Sequence, residues 1–159
     1  MNIPILSSLI FLPTIGAIFI FFSRSKNEKY NSSKYVALFI TIANFFLSIY
    51  LWLIFDQSTS DFQFVETREW IPGFINYKVG VDGISILFII LTTFITPICV
   101  VSVNKTIKSR LKDFLISILL LETLMIGVFC SLDLVIFYLF FEGGLIPVSY
   151  THLTLPTTY

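Results

Sequence analysis

Residues 114–147 read FLISILLLETLMIGVFCSLDLVIFYLFFEGGLIP, and only three of them are charged: Glu122, Asp133 and Glu142. Asp133 belongs to the short stretch SLD, which leaves room for only a tight turn between two apolar segments. Apolar segments of this length, separated by a turn and free of basic residues, are typical of helices that cross a membrane. The stretch therefore predicts two neighbouring antiparallel spans, each with a glutamate inside it.

The rest of the chain has the same character. Of its 159 residues 56% are apolar and only 13% are charged, too few to cover the surface of a soluble domain of this size. Segments 3–22, 35–55 and 83–104 contain no charge, and each has about the 20 residues that cross a hydrocarbon core of roughly 30 Å. Together with segments 114–132 and 134–147, they predict an all-α integral membrane protein with five transmembrane helices.

The charges between the spans predict the topology. Eight of the ten basic residues lie in loops 23–34 and 104–113, whereas loop 56–79 is mainly acidic. Because basic loops stay on the inner side of a membrane, both basic loops are expected inside and the N-terminus outside. No run combines basic and aromatic residues in the way that would suggest nucleic-acid binding.

The long acidic loop carries two local signals. Its residues alternate loosely in polarity on either side of Pro72-Gly73, which predicts a short β-hairpin at the membrane surface. Asp82 precedes the third apolar segment and is expected to cap that helix. Cys99 and Cys130 lie in separate apolar segments with no CxxC spacing, and they are expected to be packed thiols rather than metal ligands.

The two glutamates in the apolar segments are the candidate functional residues. Glu122 and Glu142 each lie nine residues beyond an aspartate that marks a helix start, or about 13 Å along the helix. Since the two helices run in opposite directions, both carboxyls are expected near the bilayer centre. A charge there costs roughly 2.5–3.5 kcal/mol on insertion scales, so each acid is expected to be protonated or paired with a cation.

The predicted spans contain no basic residue, so a cation would have to come from another subunit or from further chain. A protonated glutamate that joins two helices only for stability remains the alternative. Glu142 has the stronger functional signal, because Pro147 cannot donate a hydrogen bond to the Gly143 carbonyl and the helix is loosened beside the acid. Such a loosened helix suits a hydrated proton path, although Gly143 and Gly144 could equally form a helix-packing face.

Several stretches of the chain resemble a known family. FLPTIGAI, YKVGVDGISILFIILTTFITPICV and the stretch at 114–147 are similar to the N-terminal third of subunit 4 (chain M) of the proton-translocating NADH–quinone oxidoreductase, complex I. The resemblance covers residues 1–147. It implies a fragment of an antiporter-like subunit of fourteen spans, in which Glu142 matches the proton-path acid of the fifth span and Glu122 the acid of the fourth.

The resemblance also implies a role and partners. The family pairs the fifth-span acid with a lysine on the seventh span and works beside other membrane-arm subunits in the lipid bilayer. Proton translocation would be coupled to quinone reduction in a bacterial inner membrane or a mitochondrial inner membrane. The subunit itself carries no cofactor, because NADH, FMN, the iron–sulfur clusters and quinone are used elsewhere in the complex. A subunit of a multisubunit sodium/proton antiporter is the alternative, as is a fragment inactive on its own.

The end of the chain departs from the resemblance. Residues 148–159 read VSYTHLTLPTTY, where the family continues with an apolar stretch, and they resemble translated sequencing-adapter read-through. Segment 134–147 is then only about 21 Å long, short of a hydrocarbon core of roughly 30 Å. We therefore predict an N-terminal part of a membrane domain at 1–147 and a non-native tail at 148–159.

Overall fold

The computed structural model describes residues 4–23, 32–103 and 111–154, with only the backbone described for residues 150–154. Within these ranges the chain forms five helices and one two-stranded antiparallel sheet. In chain order the elements are α1 (Ile5–Phe22), α2 (Ser32–Leu53), β1 (Gln63–Ile71), β2 (Ile75–Val81), α3 (Gly83–Ser102), α4 (Leu111–Cys130) and α5 (Leu134–Thr154).

The helices have the lengths and compositions expected for membrane spans. α1, α2, α3 and α4 are each long and apolar enough to cross a bilayer, and α5 contains a shorter apolar part, Leu134–Ser149. The multi-span helical class predicted from the sequence is confirmed. The side of the membrane on which the N-terminus lies stays a prediction.

Helix α4 lies at the centre of the bundle, in contact with each of the other four helices. Two apolar clusters fill the interior. One lies near the hairpin and includes Leu9 and Ile126, while the other lies at the opposite end and includes Ala17 and Leu119. Large apolar side chains such as Phe39 and Ile18 cover the outer surface instead of a polar shell, as a bilayer requires.

The predicted hairpin is confirmed. β1 and β2 pair with Thr67 opposite Lys78, and Gly73 in the connecting turn has a φ of 77°, a conformation that glycine adopts without strain. The hairpin is joined to the turn between α4 and α5, because the Leu132 amide donates to the Lys78 carbonyl at 2.9 Å. It therefore closes one end of the bundle.

The predicted cap of the third span is also confirmed. The Asp82 carboxylate accepts a hydrogen bond from the Ser85 amide at 2.7 Å, at the first turn of α3. This hydrogen bond stabilises the ionised form, so the pKa of Asp82 lies below its ordinary value. Of the two cysteines, Cys130 is buried as expected, whereas Cys99 is exposed on the outside of α3, and its predicted packing is wrong.

The start of α2 corrects one prediction. The helix begins at Ser32 rather than at residue 35, so Lys34 lies inside it with only 9% of its surface exposed. The expectation that no span contains a basic residue is therefore wrong for α2, and also for α4, whose second residue is Lys112. Lysine tolerates this position because its long apolar stem can be buried near a helix end while the ammonium reaches outward.

The end of α5 corrects the predicted end of the fifth span. The helix passes through Pro147 and continues to Thr154, so it does not stop at residue 147. A proline in a membrane helix removes one backbone hydrogen bond, and the rest of the helix can continue. With 21 residues, α5 is about 31 Å long, although its apolar part ends at Ser149. The proposal of a non-native tail stays a prediction, and residues 155–159 lie outside the described part of the chain.

Candidate functional site

The carboxyl of Glu122 lies inside the bundle, with 2% of the residue exposed. It projects from α4 towards α2, where the side-chain amide of Asn44 donates a hydrogen bond to its Oε1 at 2.9 Å. Asn44 is completely buried, and the two residues are 78 positions apart in sequence. The structure thus places a titratable group at a helix–helix contact, with a polar partner from a different span.

The hydrogen bonding of this pair is incomplete. Glu122 Oε2 and Asn44 Oδ1 are both buried and have no hydrogen-bond partner among the described residues. A buried polar atom without a partner costs about 1–3 kcal/mol, so this arrangement is expensive for stability alone. No lysine or arginine of the described residues reaches Glu122 Oε2. Lys34 lies in the first turn of the same helix as Asn44, but ten residues, about 15 Å, separate the two along the helix.

Two hydroxyl pairs lie beside the Glu122–Asn44 contact. The hydroxyls of Thr14 and Thr123 are 2.8 Å apart and join α1 to α4. The hydroxyls of Ser48 and Thr93 are also 2.8 Å apart and join α2 to α3. A layer of polar side chains therefore crosses the interior of four helices at the level of Glu122.

Asn44 belongs to a buried seam on α2 that the sequence analysis missed. The buried positions of the seam repeat at intervals of three and four residues, which places them on one helix face. Polar side chains occupy most of them, although the segment from 35 to 55 is uncharged and reads as apolar overall. The sequence pattern that could have predicted this seam is the recurrence of polar residues every three or four positions within an apolar segment. The seam consists of Lys34, Ala37, Thr41, Asn44, Ser48 and Leu51.

Glu142 has a different environment. It lies on the outer face of α5 and is exposed, close to Tyr138 of the preceding turn. Phe137 and Phe141 stack beside it with their ring planes 11° apart. The described helices therefore leave this carboxyl on the surface of the bundle.

The two glutamates lie at the same level but are not brought together. A Cβ atom at Gly143, next to Glu142, would lie 3.0 Å from Leu124, two residues after Glu122, so the two helices meet at this depth as expected. Two residues are about 200° of rotation in a helix, so Glu122 faces away from α5. The two carboxyls therefore do not face each other in the described chain.

Of the two glycines that follow Glu142, only Gly143 packs closely against a neighbouring helix. Gly143 contacts Leu124, which agrees with the helix-packing alternative, whereas Gly144 has no atom within 4 Å of its Cβ position. Within 4–23, 32–103 and 111–154 no cluster of three or more histidine, cysteine, aspartate or glutamate side chains is arranged to hold a metal ion.

Comparison with known proteins identifies relatives of the chain. No family model matches it. It is 47% identical over 146 residues to NADH-quinone oxidoreductase subunit M of Rhodobacter capsulatus, which is 91% of this chain and 28% of that protein. It is 44% identical over 144 residues to NADH-ubiquinone oxidoreductase chain 4 of Arabidopsis thaliana, which is 90% of this chain and 29% of that protein.

The chain is a homologue of NADH–quinone oxidoreductase subunit M and chain 4. Subunit M of Rickettsia prowazekii adds a match of 41% identity over 150 residues, 93% of this chain and 30% of that protein. The homologue described here thus spans about 30% of the length of the curated relatives it matches. The resemblance to complex I stated from the sequence is confirmed.

Proposed function

We propose that the chain is part of a membrane-arm subunit of a proton-translocating NADH–quinone oxidoreductase, in which Glu122 and Glu142 take up and release protons. The observation that carries the proposal is the burial of Glu122 against Asn44 at the centre of four apolar helices. Membrane interiors rarely contain ionisable groups that have no function, because a charge there is costly.

Asn44 suits a carboxyl that changes protonation state. Its N–H group can donate to Glu122 Oε1 whether the acid is ionised or neutral, so the carboxyl keeps one partner in both states. A cation as partner would instead favour the ionised state strongly. The contact therefore supports proton exchange better than a fixed charge.

The position of Glu142 supports a role shared with other parts of the parent protein. The relatives contain more than twice as much chain as the part matched here. Glu142 is exposed on the outer face of α5, where further helices of such a protein could pack. We propose that further helices cover this face and supply the lysine partner that the resemblance implies. Other membrane-arm subunits and lipid would surround the assembled protein in a bacterial or mitochondrial inner membrane.

The sodium/proton antiporter alternative is not favoured, because the relatives compared above carry the names of NADH–quinone or NADH–ubiquinone oxidoreductase chains. In our proposal NADH, FMN, the iron–sulfur clusters and quinone act in other subunits of the complex. This chain would contribute proton-transfer groups and their apolar surroundings.

The test uses the full-length subunit within its assembled complex. Glu142→Gln and Glu122→Gln are compared with Glu69→Gln, an exposed hairpin acid, for protons moved per NADH oxidised and for assembly on native gels. We expect Glu142→Gln to lower pumping at least about tenfold with assembly intact, since a positioned proton-transfer group typically contributes about 100-fold or more. A smaller loss is expected for Glu122→Gln. Normal pumping by both variants would overturn the proposal.

A further inference from the structure

The contact between Asn44 and Glu122 contains only one of the two hydrogen bonds that these side chains can form with each other. An amide and a carboxylic acid can form two parallel hydrogen bonds, one from the amide N–H and one from the acid O–H. Here the first bond forms at 2.9 Å, whereas Glu122 Oε2 and Asn44 Oδ1 have no partner among the described residues. Two buried oxygens therefore lie on either side of one hydrogen bond, each requiring a further group.

The chemistry of those two oxygens restricts what can satisfy them. Asn44 Oδ1 can only accept a hydrogen bond, while Glu122 Oε2 accepts when the acid is ionised and donates when it is neutral. Water both donates and accepts, so one molecule can satisfy both oxygens in either protonation state. A sodium ion, as a hard cation, would require more oxygen ligands than these two.

We propose that Asn44 and Glu122 hold a buried water molecule between Asn44 Oδ1 and Glu122 Oε2, with Asn44 as the positioning residue that orients the carboxyl towards it. The neighbouring hydroxyl pairs are already satisfied by each other, Thr14 by Thr123 and Ser48 by Thr93, so they do not compete for this water. The use of this water in proton transfer rests on the proposed function, but its binding does not.

The test is infrared spectroscopy of the 159-residue chain in lipid nanodiscs, with exchange from ordinary water to ¹⁸O-labelled water. The wild type is compared with Asn44→Leu, with Glu122→Gln and with Ser48→Ala, a control that alters a buried polar residue four positions along the same seam. Circular dichroism checks that each variant keeps the helix content of the wild type.

We expect an ¹⁸O-sensitive O–H band in the wild type and in Ser48→Ala that is lost in Asn44→Leu and shifted in Glu122→Gln. The C=O band of protonated Glu122, identified by its loss in Glu122→Gln, should move to higher frequency in Asn44→Leu, because the donor to Oε1 is gone. If Asn44→Leu loses helix content, the near-isosteric Glu122→Gln decides by whether its water band shifts.

An ¹⁸O-sensitive band that is identical in the wild type and both site variants would overturn the bound water. A C=O band that moves when sodium is replaced by choline would instead identify a cation as the occupant, and would also overturn it. Neither result depends on the parent complex. Loss of pumping is read in the complex and the water band in this chain, so the two proposals can fail separately.

Discussion

The two glutamates of the transmembrane helices lie at one depth but in opposite environments. Glu122 is buried between α4 and α2 and meets an amide from another span, whereas Glu142 lies on the outer face of α5 beside Tyr138. The first carboxyl finds its partner within this chain. Within the described chain, the second carboxyl contacts only residues of its own helix. The described residues therefore determine the surroundings of Glu122, whereas those of Glu142 depend on the groups that pack against α5.

This comparison shows that the depth of an acid in a membrane and its burial are separate properties. Depth follows from the count of residues along a helix, which the sequence contains. Burial follows from which helix face meets a neighbour, and α4 turns Glu122 towards α2 while it turns Leu124 towards α5. The variants below break or sharpen the contrast, beginning with the largest expected effect.

Chemical labelling should separate the two acids most clearly. Treatment of the chain in lipid bilayers with a hydrophobic carbodiimide, which reacts with protonated carboxyls, is expected to label Glu142 strongly and Glu122 little, because only Glu142 is exposed. Mass spectrometry of peptides quantifies the label, with Glu142→Gln and Glu122→Gln as site controls. Equal labelling of both acids would contradict the described burial.

The contact between α4 and α5 can be opened without touching the Glu122–Asn44 pair. A Cβ atom at Gly127 would lie 2.6 Å from the ring of Phe140, so Gly127→Leu is expected to destabilise the chain by about 1–3 kcal/mol through overpacking. Gly144→Leu is the matched control, since nothing lies within 4 Å of its Cβ position. Unfolding in mixed micelles, followed by circular dichroism, measures both. Equal losses would mean that α5 does not pack on α4 through this glycine.

The hairpin contributes to the wall around Glu122 by holding the start of α1. The Glu66 carboxylate accepts hydrogen bonds from the amides of Leu6, at 2.9 Å, and Ser7, at 3.2 Å, and from the Ser7 hydroxyl. Glu66→Ala removes this cap and is expected to cost about 1–2 kcal/mol. Because α1 contacts α4 beside Glu122, the same variant should raise carbodiimide labelling of Glu122 more than that of Glu142.

Glu69→Ala, on the same strand, is the control for this variant and should leave both the unfolding free energy and the labelling close to wild type. If Glu69→Ala raises the labelling of Glu122 as much as Glu66→Ala does, the cap is not the cause.

The smallest expected effect concerns the start of α3, which supplies Thr93 to the polar layer. Asp82→Ala should cost about 0.5–1 kcal/mol at neutral pH through the lost hydrogen bond to the Ser85 amide. Because the pKa of Asp82 is lower in the folded chain than in the unfolded chain, its contribution is complete above the unfolded pKa of about 3.9 and is lost as the pH falls through the folded value.

Unfolding free energies of the wild type and Asp82→Ala measured from pH 7 to pH 2 should therefore converge at the acid end. Asp82→Asn, which keeps an oxygen acceptor that does not titrate, should lose less stability at neutral pH and show no such convergence. A constant difference between wild type and Asp82→Ala across this range would rule out a role for the ionised carboxylate in the cap.

The sequence alone determined the features that depend on neighbours along the chain. Uncharged segments of about 20 residues predicted the spans, the turn at Pro72-Gly73 predicted the hairpin, and Asp82 was expected as a cap, because hydropathy, turn geometry and capping act over a few residues. The equal depth of Glu122 and Glu142 followed from counting residues along two helices.

Only the tertiary structure decided which side chains meet. Asn44 reaches Glu122 across 78 residues and Glu66 caps α1 across 60, and no local pattern links such pairs. The continuation of α5 through Pro147 also depended on more than the proline itself, since propensity is a weak guide inside a packed helix. Partners in a helical bundle depend on how the helices are rotated and packed against one another, and that arrangement sets the surroundings of each buried acid.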